Sequence, residues 1–291
     1  RLQFQEDSVK ILKKEQEVQE LQLKASELEL NAQKAKNNLY IIVAVISLSL
    51  LSIIGVLFMG RQRTLRQLEE KNRIIQEEKR RSDELLLNIL PEEVMHELKA
   101  HGKTTAKNYS KATVLFADIK DFTGISERLT PDELIQGLDA YFERFDKVIE
   151  KYGIEKIKTI GDAYLCVGGL PVPDIDNANN VIHAALEMQQ FMQQARKERE
   201  ARGQIFFEIR IGVHTGPLVA GIVGLRKFAY DIWGDTVNVA ARMEQHGEEG
   251  KINISGSTYE LVKDKVRCTH RGKIEAKNKG QIDMYFVEGL L

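Results

Sequence analysis

The chain has 291 residues, 42 of them basic and 43 acidic, for a formal net charge of −1 at pH 7. That length suffices for one sizeable domain plus accessory segments, and the balanced charge argues against a nucleic-acid partner. Two cysteines far apart in sequence, Cys166 and Cys268, exclude a disulfide scaffold and a zinc site and read as buried small residues in a reducing compartment.

The first residue is Arg1 rather than an initiator Met, which reads as an excerpt of a longer protein with a sensor of unspecified stimulus upstream. Ile11, Val18, Leu21, Ala25, Leu28, Ala32 and Ala35 then follow an a/d heptad pattern, with Lys14 as a polar intruder, and predict a coiled-coil helix. From Leu39 to Met59 runs LYIIVAVISLSLLSIIGVLFM, 21 residues without a charge. At about 1.5 Å per residue it crosses the roughly 30 Å core of a bilayer. A buried core helix would carry a polar stripe, whereas only Ser47, Ser49 and Ser52 interrupt this run; its length and internal place exclude a cleaved signal peptide. Arg61, Arg63, Arg66, Lys71 and Arg73 follow the span against Lys34 and Lys36 before it. This bias predicts a single-pass protein of the inner or plasma membrane with its C-terminal side cytoplasmic. A second heptad block comprises Leu65, Leu68, Asn72, Ile75, Lys79, Ser82, Leu86 and Ile89, and an Asn at an a position, here Asn72, favours a dimer in one register. Pro91 breaks this pattern, and PEEVMHELKAHGK predicts a short helix ending at Gly102.

From about Lys111 the pattern turns to short apolar runs alternating with amphipathic helices. ATVLFADI predicts a strand, PDELIQGLDAYFERFDKVIEKYG a helix, YGIEKIKTIGDAYLCVGG a hairpin, NNVIHAALEMQQFMQQARKERE a second helix and IFFEIRIGVHTG a strand. This βαββαβ order predicts an α+β, ferredoxin-like fold. The first helix opens with Thr130 as N-cap, Pro131 at its first position and Glu133 closing a capping box. Asp118 ends the first strand and Asp162 sits at the hairpin turn; the strand order puts these strands side by side, so the two carboxylates can converge. Such a pair without His or Cys suits hard cations such as Mg²⁺, while a lone Asp at a strand end also reads as a turn or cap residue. In YDIWGDTVNVAARMEQ a strand bearing Asp231 passes through Gly234 into a helix, where Asn238 and Arg242 share a face at i and i+4. They can serve a ribose oxygen and a phosphoryl charge, or form an ordinary polar helix face.

VLFADIKDFT, EKIKTIGDAYLCVGG, GVHTGPLVAGIVG and YDIWGDTVNVAARME together resemble, in order and spacing, the class III nucleotide cyclase catalytic domain over roughly Ser110 to Val287. LLLNILPEEVMHELK resembles the coupling helix that precedes such domains in membrane cyclases. The resemblance implies an adenylyl cyclase that converts ATP to 3′,5′-cyclic AMP and pyrophosphate in a homodimer with two composite sites. It makes Asp118 and Asp162, helped by the Ile119 carbonyl, the ligands of two Mg²⁺ or Mn²⁺ ions per site. Lys156 and Asp231 would read adenine, where guanylyl cyclases typically have Glu and Cys. Asn238 would orient the ribose, Arg242 stabilise charge at the α-phosphate, Lys277 meet the terminal phosphates, and the amides of Phe122, Thr123 and Gly124 cradle phosphate. In the family's head-to-tail dimer, Asp162 would bind metal in one site while Lys156 of the same chain reads adenine in the other.

Three departures bear on these roles. Asp121 stands where many family members have Gly, Pro217 where some have an Arg whose contact Lys120 could supply, and Asn278 where Gly usually follows the phosphate-binding Lys. The last leaves Lys279 as an alternative to Lys277. A guanylyl cyclase is opposed by the Lys and Asp pair, a catalytically silent homology module by the presence of all four of Asp118, Asp162, Asn238 and Arg242, and a diguanylate-cyclase or polymerase palm by the lack of a glycine-glycine-acidic turn. The expected organisation is a helical segment at 1–38, a membrane helix at 39–59, a coiled-coil and coupling linker at 60–109 and the catalytic domain at 110–291.

Overall fold

A computed structural model describes residues 2–224, 228–276 and 280–291. The chain divides into two units, Arg1–Arg81 and Ser82–Leu291. The described residues of the first unit all belong to the helix α1, Leu2–Leu87, whose last turns fall in the second unit. The apolar stretch of α1 is long and apolar enough to cross a membrane. Within that stretch the hydroxyls of Ser47, Ser49 and Ser52 donate to the carbonyls of Val43, Ile46 and Leu48 at 2.8, 2.8 and 2.9 Å. The serine hydrogens are thereby satisfied within the helix, as an apolar solvent requires.

In the second unit α2, Glu92–His101, follows Pro91 and ends at Gly102 in the left-handed conformation. Next come β1 (Lys107–Ile119), α3 (Phe122–Ser126), α4 (Pro131–Lys151), β2 (Ile154–Ile160), β3 (Ala163–Gly168), α5 (Asn177–Ala201) and β4 (Ile209–Val223). They are followed by β5 (Ala229–Trp233), α6 (Asp235–Gln245), β6 (Ile252–Ser255), α7 (Gly256–Val262), β7 (Val266–Ala276) and β8 (Gly280–Leu290). The capping box opens α4 as expected: Glu133 N–H donates to Thr130 Oγ1 at 3.3 Å, and Thr130 N–H to Glu133 Oε2 at 2.9 Å.

One sheet runs in the order β2-β3-β1-β4-β6-β8-β7, with β5 paired on β4. Its first four strands have the ferredoxin-like order, all neighbours antiparallel. β6 joins β4 in parallel and carries the sheet on to β8 and β7, beyond that plan. β1 is buried on both faces: Leu115, Ala117 and Ile119 enter a core with α4 and α5, while Ala112, Val114 and Phe116 enter a second core on the other face. This is why ATVLFADI reads as a continuous apolar run. Leu86, Leu90, Val94, Met95 and Leu98 join the second core, so the compact unit begins well before the boundary expected at 110. Cys166 is buried and Cys268 half-buried, both as free thiols.

Candidate active site

Asp118 and Asp162 are brought together at one end of the sheet. Asp118 is the penultimate residue of β1, and β1 pairs with β3, at whose entry Asp162 sits. Gly161 before it has φ +64°, a left-handed turn position suited to glycine. Partial burial pushes the Asp162 carboxyl up, and the Asp118 carboxylate beside it pushes it further. A carboxyl group pushed up by a neighbouring carboxylate is a natural seat for a cation. Among the described residues no group of three or more His, Cys, Asp or Glu could hold a metal ion by itself. A divalent cation here would complete its shell from phosphate and water oxygens, which suits Mg²⁺ or Mn²⁺. The Ile119 side chain is hydrocarbon and lies in the core, so only its main-chain carbonyl can contribute.

Phe122, Thr123 and Gly124 lie in the first turn of α3, where helical N–H groups have no partner within the helix. Asp121 precedes them at φ 52°, a left-handed conformation that Asp tolerates better than most residues. A Cβ on Gly124 would come within 2.8 Å of Asp121 Oδ2. The Asp121 carboxylate therefore folds over this turn.

The expected pairing of Lys156 with Asp231 is not the one the fold makes. Lys156 Nζ lies 2.7 Å from Asp146 Oδ1 and 5.1 Å from the Tyr164 ring centre, and the Tyr164 hydroxyl donates to the same Asp146. It is Lys158 that donates to Asp231 Oδ2, at 2.5 Å. The cause is a β-bulge at Ile157: Lys156 faces Cys166 across the ladder and Lys158 faces its neighbour Leu165. In a regular strand the two lysines would share a face; the extra residue sends them to opposite faces. Asp231 also accepts from the Ile232 N–H at 2.9 Å.

Asn238 and Arg242 lie on α6, which starts after Gly234 at φ 138°. Asn238 is exposed, and Arg242 donates to the Glu275 carbonyl at 2.9 Å. Among the described residues neither bonds to Asp118 or Asp162 in its own chain. Pro217, a departure from the resemblance, accepts from Thr236 Oγ1 at 2.6 Å through its carbonyl and so helps seat the start of α6. Lys277, with Asn278 and Lys279, lies outside the described residues.

Two residues that the sequence reading passed over stand beside the acids. Arg210 Nη2 lies 2.9 Å from Asp118 Oδ2 and 2.7 Å from Glu244 Oε1. Burial, and next the Asp118 charge, push the Glu244 carboxyl up to about 7. The available signal was Arg210 itself, a lone cation inside the apolar run of a buried strand.

Residues 104–289 match the family model described as the adenylate and guanylate cyclase catalytic domain. The chain belongs to this family, the class III nucleotide cyclases. Members of the family depend on divalent metal ions. The cyclase is 38% identical over 226 residues to an adenylate cyclase of Mycobacterium tuberculosis, covering 77% of this chain and 50% of the relative. It is 36% identical over 211 residues to the guanylate cyclase soluble subunit beta-2 of Rattus norvegicus, covering 72% of this chain and 30% of that one. It thus spans half or less of these relatives' lengths. Among solved structures it resembles the catalytic core of a rhodopsin-guanylyl cyclase with converted specificity in complex with ATPαS, with a TM-score of 0.59 and 36% identity, covering 64% of this chain and 99% of that one. Adenylate and guanylate cyclases stand equally near, so membership of the cyclase family leaves the base to the residues of the site.

Proposed function

We propose that this cyclase acts on ATP, forming 3′,5′-cyclic AMP and pyrophosphate. The observation that carries the reading is the juxtaposition of Lys158 on β2 with Asp231 on β5. An ammonium can donate to adenine N1 while the carboxylate accepts from the exocyclic amine. The guanylyl alternative calls for an acid in place of the base-reading lysine and a thiol in place of Asp231, and none of Lys156, Lys158 and Asp231 meets it.

Asn238 orients the ribose so that its 3′-oxygen bonds the α-phosphorus as the bond to pyrophosphate breaks, and Arg242 neutralises the charge that builds there. Amides of Phe122, Thr123 and Gly124, with Lys277, hold the phosphates. Two Mg²⁺ or Mn²⁺ ions at Asp118, Asp162 and the Ile119 carbonyl would activate the 3′-hydroxyl and steady the leaving group. Arg242 turns to Glu275 and makes no bond to the acids of its own chain, which supports a homodimer in which each chain supplies the acids of one site and Asn238 and Arg242 of the other. The coiled-coil pattern around a single membrane helix supports an anchored enzyme with a cytoplasmic catalytic unit.

The test starts with product identification from the purified chain given ATP and GTP separately; cyclic GMP as the main product would overturn the reading. Lys158→Glu with Asp231→Cys is then expected to shift the ATP-to-GTP ratio of kcat/KM towards GTP by about ten-fold or more, since a mispaired buried polar group costs about 1–3 kcal/mol. Lys156→Met, which disturbs only the contacts with Asp146 and Tyr164, is expected to leave that ratio in place. The opposite pattern would return base choice to Lys156.

A further inference from the structure

Arg210 is the Cα partner of Asp118 across the ladder of β1 and β4. Its neighbours Ile209 and Ile211 are buried in the first core, so the strand's packing has no need of a charge at this point. One guanidinium nitrogen is shared between two acids, Asp118 at 2.9 Å and Glu244 at 2.7 Å. The arrangement is unsaturated: among the described residues Arg210 Nε is buried without a hydrogen-bond partner. Glu244 owes its place to the backbone. α6 lies so close on β4 that a Cβ at Gly212 would fall 1.9 Å from Glu244 N. The carboxylate is therefore anchored beside the guanidinium whatever Asp118 does.

Any cation that takes Asp118 as a ligand competes with Arg210 for the same oxygens. A guanidinium with Asp118 as its sole anionic partner would hold it fast, and one with a second, fixed acid can yield it. We propose that Glu244 is a positioning residue for the metal site, retaining Arg210 so that the Asp118 carboxylate can turn to a divalent cation, while Arg210 offsets the repulsion between Asp118 and Asp162. The inference rests on the reading that Asp118 and Asp162 hold the metal.

The test is a Mn²⁺ titration of the full chain in detergent, with free Mn²⁺ followed by its electron paramagnetic resonance signal, in the presence of a non-cyclisable ATP analogue. Glu244→Gln is expected to weaken Mn²⁺ binding about ten-fold or more, the worth of one charge-assisted hydrogen bond. Arg210→Gln with Glu244→Gln removes the competitor together with its partner, and affinity is expected to return to within about three-fold of the wild type. A merely structural role would lower the unfolding temperature of both variants and leave Mn²⁺ affinity alone, with the double variant no better than the single. Either result, no weakening or no recovery, overturns the proposal. Asp162→Asn separates the two layers: if it binds Mn²⁺ normally, the metal assignment itself fails. Should Glu244→Gln not fold, Glu244→Asp, which withdraws the carboxylate by one methylene, is expected to weaken Mn²⁺ binding in the same sense, and normal affinity there overturns the proposal equally.

Discussion

Glu155 shows what burial does to a single carboxyl on the strand that also bears Lys158. It faces Val167 across the ladder, and burial pushes it up to about 7. In the unfolded chain it ionises near its ordinary 4.5, so between there and about 7 the folded protein holds a proton that the unfolded chain has lost. Its contribution to stability therefore falls as pH rises through that window and stays low above it. Glu155→Gln is expected to stabilise the protein at pH 8 by on the order of 1 kcal/mol, after allowance for the solvent that reaches the group, and to change little at pH 4. Thermal unfolding of both proteins at the two pH values checks this, and a difference independent of pH would refute it. At the same scale, Asp118 and Asp162 were legible because a strand end and a Gly-Asp turn leave a side chain few places to go. Lys156 and Lys158 were not distinguishable, because a bulge leaves no mark in a polar-apolar pattern of period two.

Among the elements, α6 depends most on a missing side chain. Gly212 and Gly216 on β4 let it approach until a Cβ would lie 1.9 Å from Glu244 N at one site and 2.6 Å from Thr236 Oγ1 at the other. At Gly212 the obstacle is backbone, which cannot rotate away. Gly212→Ala is expected to cost about 3 kcal/mol or more and to lower kcat as well, since α6 carries Asn238 and Arg242. Thr130→Ala removes only the cap of α4 and is expected to cost about 1 kcal/mol without changing KM. Urea unfolding and steady-state kinetics of both variants check the contrast; equal costs would mean that α6 relaxes more easily than its packing suggests. The strong elements were readable in advance: α4 has its capping box, and β1 is buried on both faces. β6 is only four residues long, and β7 reads VRCTHRGKIEA with its apolar residues widely spaced, so neither carried a strand signal.

For the whole molecule the proposed division of each site between two chains has a direct consequence. Asp162→Ala and Arg242→Ala chains are each expected to be nearly inactive alone. In a heterodimer of the two, one site carries both lesions and the other neither. Activity is then expected to recover towards half that of the wild type per heterodimer. Co-expression with two different affinity tags, selection of doubly tagged protein and assay for cyclic nucleotide check this. No recovery in material shown to be heterodimeric would mean that each site is built within one chain.

Sequence alone determined the family, the order of the first strands and helices, the apolar span and the two carboxylates, because each is written in local pattern: period, charge-free length, a capping box, a Gly-Asp turn. Only the tertiary structure decided which lysine meets Asp231 and which buried charges surround Asp118. Strands distant in the chain meet in a register set by one bulge, and α6 reaches Asp118 only because β4 lacks a side chain at Gly212. Such meetings depend on long-range contacts that no local stretch of residues encodes.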